Sequence, residues 1–461
     1  MLPTAALIVL LLGGCAHVAS HESAPARAHL AVPVEYYRLS NGLRVVLTED
    51  RSVPTVTVGV YYHIGFRLEP RGRTGFAHLF EHLMFQETAN LAKGEGDRIV
   101  TGNGGVSNGS TRFDYTNYFQ VVPSHVLEPV LFVEAERMRS LALGASSLQN
   151  QKDVVKNEVR VNVLNRPYGA FPWLDLPQVA NVNWHNAHNF YGELDEIDAA
   201  TLEDVRAFHD TYYVPSNAVL VVAGDFDRAA TRAAIDREFG GLAARPEPLR
   251  PDVTEPEQTA PRTAQRADPL APRPAIAFGY PLPPRGSPEW YAFGLIDLIL
   301  LQGEDSRLYR RLVNERNYSD SIDGGVNLLG TMFDVEGPSQ WAAYLIHDPA
   351  STPAAITADV DDVIAQLQRK PVPAAELERA RTKIRSALYD LAGSPTRFGL
   401  LTILASFALF DDDPEKINRI EAEFDKVTPE LIQRTAARYL VPARRTTLTL
   451  VPGRAPAEGA Q

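Results

Sequence analysis

Two histidines, His78 and His82, stand four residues apart with Glu81 between them. On a helix, positions i and i+4 lie on one face, a turn apart. Two imidazoles at that spacing can share one zinc ion at bonding distance. Glu81 is three positions from His78 and borders the same stripe. From there it can reach a water at the metal without being a ligand. Phe76, Leu79, Phe80, Leu83 and Met84 cover much of the remaining helix surface. A surface helix is apolar on one side and polar on the other. This one is apolar nearly all round, so burial is expected. Buried imidazoles and carboxylates need partners or a metal, because an unpaired buried charge is very costly. Core histidines paired to carboxylates are the plainer reading, and for a lone histidine the better one. His-x-x-Glu-His inside an apolar helix favours the metal.

A zinc hydrolase site takes three protein ligands and one water. The third ligand must come from elsewhere in the chain. Glu134 and Glu136 on the next expected helix, and Glu158 on the one after, are candidates that spacing alone does not separate.

The elements that must position these residues read as a mixture of strands and helices. Val34 to Leu47 alternates around Asn41-Gly42, a hairpin turn signal. Val53 to His63 and Asp114 to Val122 read as strands, and a helix is expected near Gly75 to Phe85. Further helices are expected over Val126 to Leu143, Leu148 to Leu164 and Leu202 to Thr211, then a strand over Ala218 to Ala223. Prolines then recur with little periodicity, which reads as a linker. The halves on either side look related. Tyr213-Val214-Pro215 precedes the β-run Val219 to Val222, and Leu440-Val441-Pro442, 227 residues later, precedes Thr447 to Val451. The expected fold class is α+β, with two homologous domains, each an antiparallel-rich sheet with helices packed on one face.

The chain has 461 residues, a formal net charge of -12 and one cysteine. That length suits two domains. The acidic balance, with no Lys/Arg stripe, argues against nucleic acid as a partner. The single cysteine excludes an intrachain disulfide. It is Cys15, directly after the apolar run Ala5 to Leu12 and Gly13-Gly14. A short apolar run ending in small residues reads as an export signal. The order Leu12-Gly13-Gly14-Cys15 resembles a bacterial lipobox, although no Lys or Arg precedes the run. We therefore expect a signal peptide over 1–14, lipidation of Cys15 and a tether over 15–32. A zinc-binding catalytic domain is expected over 33–243, a Pro-rich linker over 244–274, a non-catalytic homologous domain over 275–455 and a tail over 456–461. The protein is expected to be exported to the periplasm and to meet the membrane only through its lipid.

The motif resembles the inverted zincin signature of the pitrilysin/insulinase family, particularly its bacterial members of mitochondrial-processing-peptidase size. Met84-Phe85-Gln86-Glu87-Thr88 resembles the family's continuation after the second histidine. Gly104 to Thr111 followed by Asp114-Tyr115-Thr116 resembles its edge strand beside the zinc, with Gly109 where alanine is usual. The resemblance implies that Asn108, Gly109, Ser110 and Thr111 pair with substrate backbone. Val154-Val155-Lys156-Asn157-Glu158, followed by Asn165-Arg166-Pro167, resembles the ligand helix and its exit, and so selects Glu158. The implied cofactor is one zinc ion on His78, His82 and Glu158, with Glu81 as catalytic base. Gln151 stands where the family often has a second glutamate, implying weaker tuning from around the ligands.

Ser306-Arg307-Leu308-Tyr309 resembles a family helix that leads to an Arg/Tyr pair holding substrate. Register puts Val313 and Asp320 at those positions, with Arg311, Arg316 and Tyr318 nearby. The resemblance implies a zinc endopeptidase for short unstructured peptides, completed in a heterodimer by a paralogous chain bearing the Arg/Tyr pair; a homodimer is the alternative. The rival function is a non-catalytic scaffold or a zinc-retaining peptide-binding subunit.

Overall fold

The computed structural model describes residues 29–453. The expected signal peptide, Cys15 and most of the expected tether and tail lie outside the described residues. Through the first half the elements are β1 (Glu35–Arg38), β2 (Arg44–Glu49), β3 (Thr55–Tyr62), α1 (Phe76–Leu83), α2 (Glu95–Gly102), β4 (Val106–Thr111) and β5 (Thr116–Pro123). They continue as α3 (Leu127–Arg139), α4 (Ala145–Val159), α5 (Asp175–Ala180), α6 (Trp184–Ala187), α7 (Leu194–Ala199), α8 (Leu202–Tyr212), β6 (Ala218–Gly224) and α9 (Arg228–Phe239). The second half opens with β7 (Arg262–Asp268), β8 (Ala275–Pro281), α10 (Pro288–Leu300), β9 (Asp323–Gly325) and β10 (Gln340–Ile346). It closes with α11 (Pro353–Arg369), α12 (Ala374–Gly393), α13 (Phe398–Phe410), α14 (Ile420–Asp425), α15 (Pro429–Tyr439) and β11 (Thr446–Pro452).

The strands form two sheets, ordered β1-β2-β6-β3-β5-β4 and β7-β11-β8-β10-β9. Without β1 the two share one connection pattern. Each has a single parallel pair, β2 with β6 and β7 with β11. Their other pairs are antiparallel. The Val-Pro repeat precedes the equivalent strands β6 and β11. The fold is α+β with two homologous halves.

Alternation along the strands decides what each sheet face meets. Val56, Val58, Val60 and Tyr62 of β3 join the core formed with α1, α3, α8 and α9. Tyr61 of β3, with Val219 and Val221 of β6, points the other way, into a core with Leu401, Leu404 and Ala405 of α13. Every residue of α13 from Leu400 to Leu409 is buried. An α-helix apolar all round must be enclosed, and α13 is held between the first sheet and the helices of its own half. The exchange is reciprocal. Ala275, Ala277, Leu448 and Leu450 on the second sheet pack against Leu176 of α5 and the nearby Phe171, both from the first half. Each half thus places its own helices on one face of its sheet, as expected, and lends one helix to cover the other half's second face.

Two expected boundaries are corrected. The segment 244–274, expected as a linker, contains β7, which pairs in parallel with β11 along its whole length. Its polar sequence, Arg-Thr-Ala-Gln-Arg-Ala-Asp, suits a sheet edge and carries no apolar alternation to announce a strand. The expected tether ends before Val32, not after it. Leu30 N donates to Glu421 Oε1 at 3.0 Å, and the Asn418 side chain bonds both N and O of Val32. Val32 buries its side chain in the core of the second half. Among the described residues no single helix is long and apolar enough to cross a membrane.

Candidate metal centre

Helix α1 begins after Gly75, whose φ of 78° is left-handed, and a Cβ there would lie 2.4 Å from Tyr191 O. Glycine is required on both counts. The apolar residues Phe76, Leu79, Phe80 and Leu83 of α1 are fully buried, as the sequence implied. They fix the helix against the sheet and turn His78 and His82 toward α4. Leu148 and Val155 bury α4 in the same core. Beyond Val159 the chain continues in a wider π-type turn, Arg160–Leu164. Such wide turns often mark functional sites.

On α4, Glu158 faces both histidines. His78 Nε2 lies 3.5 Å from Glu158 Oε1, and His82 Nε2 lies 3.2 Å from Glu158 Oε2. The three ligand atoms all fall within 4.8 Å of one another. Zinc bonds of about 2.0–2.2 Å at tetrahedral angles place neighbouring ligand atoms about 3.3–3.6 Å apart. The donor set and its spacing therefore fit zinc. Hydrogen bonds from His78 and His82 hold the Glu158 carboxyl well below the usual carboxylate range. Tyr191 Oη reaches Glu158 Oε1 at 3.4 Å, and burial, with the nearby carboxylate, raises the Tyr191 phenol.

Glu81 does not join this set. Its Oε2 accepts a 2.7 Å bond from Thr111 Oγ1 at the end of β4. The catalytic candidate is thus held beside the ligands by a buried hydroxyl. β4 is the edge strand of its sheet, as expected, and among the described residues pairs only with β5. Asn108 is exposed on it, while Gly109 and Ser110 are half-buried. Asn108 Oδ1 accepts from Gly109 N at 2.8 Å, and Ser110 Oγ donates to Asn117 at 2.5 Å. The Thr111 side chain is committed to Glu81, which leaves the strand's main chain as the part implied to pair with substrate. Gly109 leaves room at this point, since a Cβ would sit 3.1 Å from Glu81 Cγ.

The sequence model of the insulinase family, peptidase family M16, matches residues 44–168, and that of the M16 inactive domain matches residues 199–384. The chain belongs to the insulinase family. The zinc protease PqqE of Helicobacter pylori is 28% identical over 424 residues, covering 91% of this chain and 93% of that protein. An uncharacterized zinc protease of Mycobacterium bovis is 25% identical, covering 93% and 95%. The crystal structure of a protease from Helicobacter pylori superposes with a TM-score of 0.83 at 27% identity, over 91% of this chain and all of that one.

Within this insulinase-family chain the other ligand candidates are otherwise engaged. Glu134 accepts from Gln120 and Arg137, both at 2.6 Å, and Glu136 pairs with Arg139 and Asn90. Gln151 is buried two turns before Glu158, yet among the described residues it makes no hydrogen bond to His78, His82 or Glu158. An uncharged amide is drawn to the ligands less strongly than the carboxylate it replaces.

Among the described residues the second half pairs no cation with the ligands. Val313 packs on the core, and Asp320 is exposed. Arg311, Arg316 and Tyr318 all converge on Asp359 of α11, at 2.8–3.0 Å.

Sequence reasoning missed Glu69 and His188. Glu69 is fully buried, and its two oxygens accept from Gly75 N at 2.9 Å and Ala77 N at 2.6 Å. The available signal was Gly75 itself. A helix starting on glycine has no side chain to satisfy its first N–H groups.

Proposed function

We propose that this chain is a zinc-dependent endopeptidase acting on short, unstructured peptides. The observation that carries the reading is the convergence of His78, His82 and Glu158 from two helices, with Glu81 held alongside but unligated. A zinc ion bound by the three would polarise both a water and the substrate carbonyl, making the water acidic near neutral pH. Glu81 takes the proton released as the water oxygen bonds to the carbonyl carbon. It then gives that proton to the amine as the C–N bond breaks. Thr111 fixes the carboxylate orientation for both transfers. The exposed edge of β4 offers main-chain groups to an extended peptide, which supports unstructured substrates. The inactive-domain match begins at residue 199, beyond all four of these site residues.

We further propose that a paralogous partner chain supplies an Arg/Tyr pair to the substrate carbonyl. The support is local: Arg311, Arg316 and Tyr318 are tied to Asp359, and no bond links them to α1, α4 or β4 among the described residues. Export and lipid anchoring at Cys15 complete the proposal; mass spectrometry of the mature N-terminus tests them.

The deciding experiment is Glu81→Gln. It should retain zinc and lose cleavage of quenched peptides, assayed with and without the partner. Full activity in Glu81→Gln would overturn the assignment. Zinc retention without cleavage by the unmodified chain, under either condition, would favour a peptide-binding subunit.

A further inference from the structure

The fully buried carboxylate of Glu69 lies outside the ligand set, yet it meets the backbone of the helix that carries both histidines. Helix α1 has only eight residues, too few to be stable alone. Its N-cap, Gly75, makes no side-chain cap bond. Glu69 bridges this gap from six residues upstream, one oxygen on Gly75 N and the other on Ala77 N. Ala77 immediately precedes His78, so the clamp acts on the peptide unit next to the first ligand. A carboxylate at a helix N-terminus also meets the positive end of the helix dipole.

Burying this charge needs a partner, and His188 provides one. Its Nε2 faces Glu69 Oε2 at 3.4 Å, and its Nδ1 faces Trp184 O at 3.1 Å. Both ring nitrogens face acceptors, an arrangement that favours a proton on each and so a cationic imidazole. Its ring stacks on Trp184 with centroids 4.4 Å apart at 11°. The same short segment continues to Phe190 and Tyr191, whose rings touch the His78 ring at 5.5 and 5.0 Å. The clamp on the helix start and the wall behind the first ligand are one piece of chain.

We propose that Glu69, paired with His188, is a positioning residue that sets where α1 begins and so holds His78 and His82 at ligand distance from Glu158. The proposal rests on the zinc reading above. Glu158 belongs to a separate helix, so any slip of α1 opens the ligand triangle instead of moving it as a unit.

Full-length mature protein carrying Glu69→Ala, Glu69→Gln or His188→Gln tests this. Hydrogen exchange of the segment containing α1 is read by mass spectrometry in the metal-free state, and zinc affinity by chelator competition. Glu69→Ala should speed exchange in α1 while leaving α10 unchanged, and should weaken zinc binding by about 10- to 100-fold. Glu69→Gln should recover part of both, since its oxygen still accepts one N–H. His188→Gln should fall between Glu69→Gln and the unmodified protein. Unchanged exchange in α1 with Glu69→Ala would overturn the proposal, as would zinc affinity within twofold of the unmodified protein. If the unmodified chain binds no zinc, the zinc reading fails, and the exchange measurement still decides whether Glu69 holds the helix.

Discussion

Replacing Thr111 by valine isolates the one contact that aims Glu81. The two side chains have nearly the same shape, so Thr111→Val keeps the packing of a residue that is 1% exposed. What disappears is the 2.7 Å donor to Glu81 Oε2. The hydroxyl also lies 3.5 Å from Ala77 O, but its single proton serves the shorter, charged acceptor. A hydrogen bond to a charged group contributes about 1.5–3 kcal/mol, and each 1.36 kcal/mol is tenfold in rate. If that energy holds the carboxylate in its reacting orientation, kcat should fall about 10- to 100-fold. KM should change little, because Thr111 makes its bond to Glu81 and not to the exposed edge of β4. Zinc content should not change, because none of the three ligands is touched. Thr111→Ser restores the donor and should recover most of kcat. The assay is peptide cleavage under single-turnover conditions, in the assembly that gives wild-type activity, with zinc measured on the same samples. Thr111→Val turning over within twofold of wild type, with full zinc, would refute the argument. So would Thr111→Ser failing as badly as Thr111→Val.

Three other outcomes follow from the structure. Burial pushes the Asp297 carboxyl up from 3.8 to about 6, where Trp341 Nε1 donates to it at 2.7 Å. Between those pH values the folded state keeps a proton that the unfolded state has released, so stability falls as pH rises, reaching a cost of about 3 kcal/mol above pH 6. Asp297→Asn should therefore match wild type in urea unfolding near pH 4 and exceed it by up to about 3 kcal/mol at pH 7; a pH-independent difference would contradict this. Leu401→Ala on α13, fully buried over Gly59, should cost about 2–5 kcal/mol in unfolding while leaving zinc affinity unchanged. Removing zinc with a chelator should abolish cleavage without unfolding the protein, and returned zinc should restore activity; circular dichroism and peptide assays check this together.

The site was legible where chemistry and burial coincide in a short run. His78, Glu81 and His82 sit in an apolar helix, and that contrast is visible without any structure. Glu158 was not readable from spacing, because Glu134 and Glu136 are equally acidic and equally helical. What removes them is a pair of contacts each: Arg137 and Arg139 from the next turn of the same helix, and Gln120 and Asn90 from across the fold. Glu69 was hidden for a similar reason. In the run Arg67-Leu68-Glu69-Pro70-Arg71 it looks like one more solvated charge. The continuous apolar run of α13 announces burial, but not that the helix is buried against the other half's sheet. β7 left no trace, since a polar edge strand and a linker have the same composition.

The second half carries no ligand, yet it bears on the site through the turn that holds α1. Arg67, two residues before Glu69, is 1% exposed and pairs with the equally buried Asp114 at 3.4 Å. Its Nη2 donates to Pro338 O at 2.7 Å, and a Cβ on Gly337 would lie 1.8 Å from Arg67 Nη1. Asp114 Oδ2 in turn accepts from Glu336 N at 2.7 Å. The loop before β10 is therefore pressed onto the same turn whose other end clamps α1. A hydrogen bond to a charged group contributes about 1.5–3 kcal/mol, and Arg67 and Asp114 each make one to the second half, so this contact is not a loose interdomain touch. The second half has no His-x-x-Glu-His motif but has a structural task. It closes the second face of the first sheet with α13, and it braces the turn from which Glu69 reaches α1.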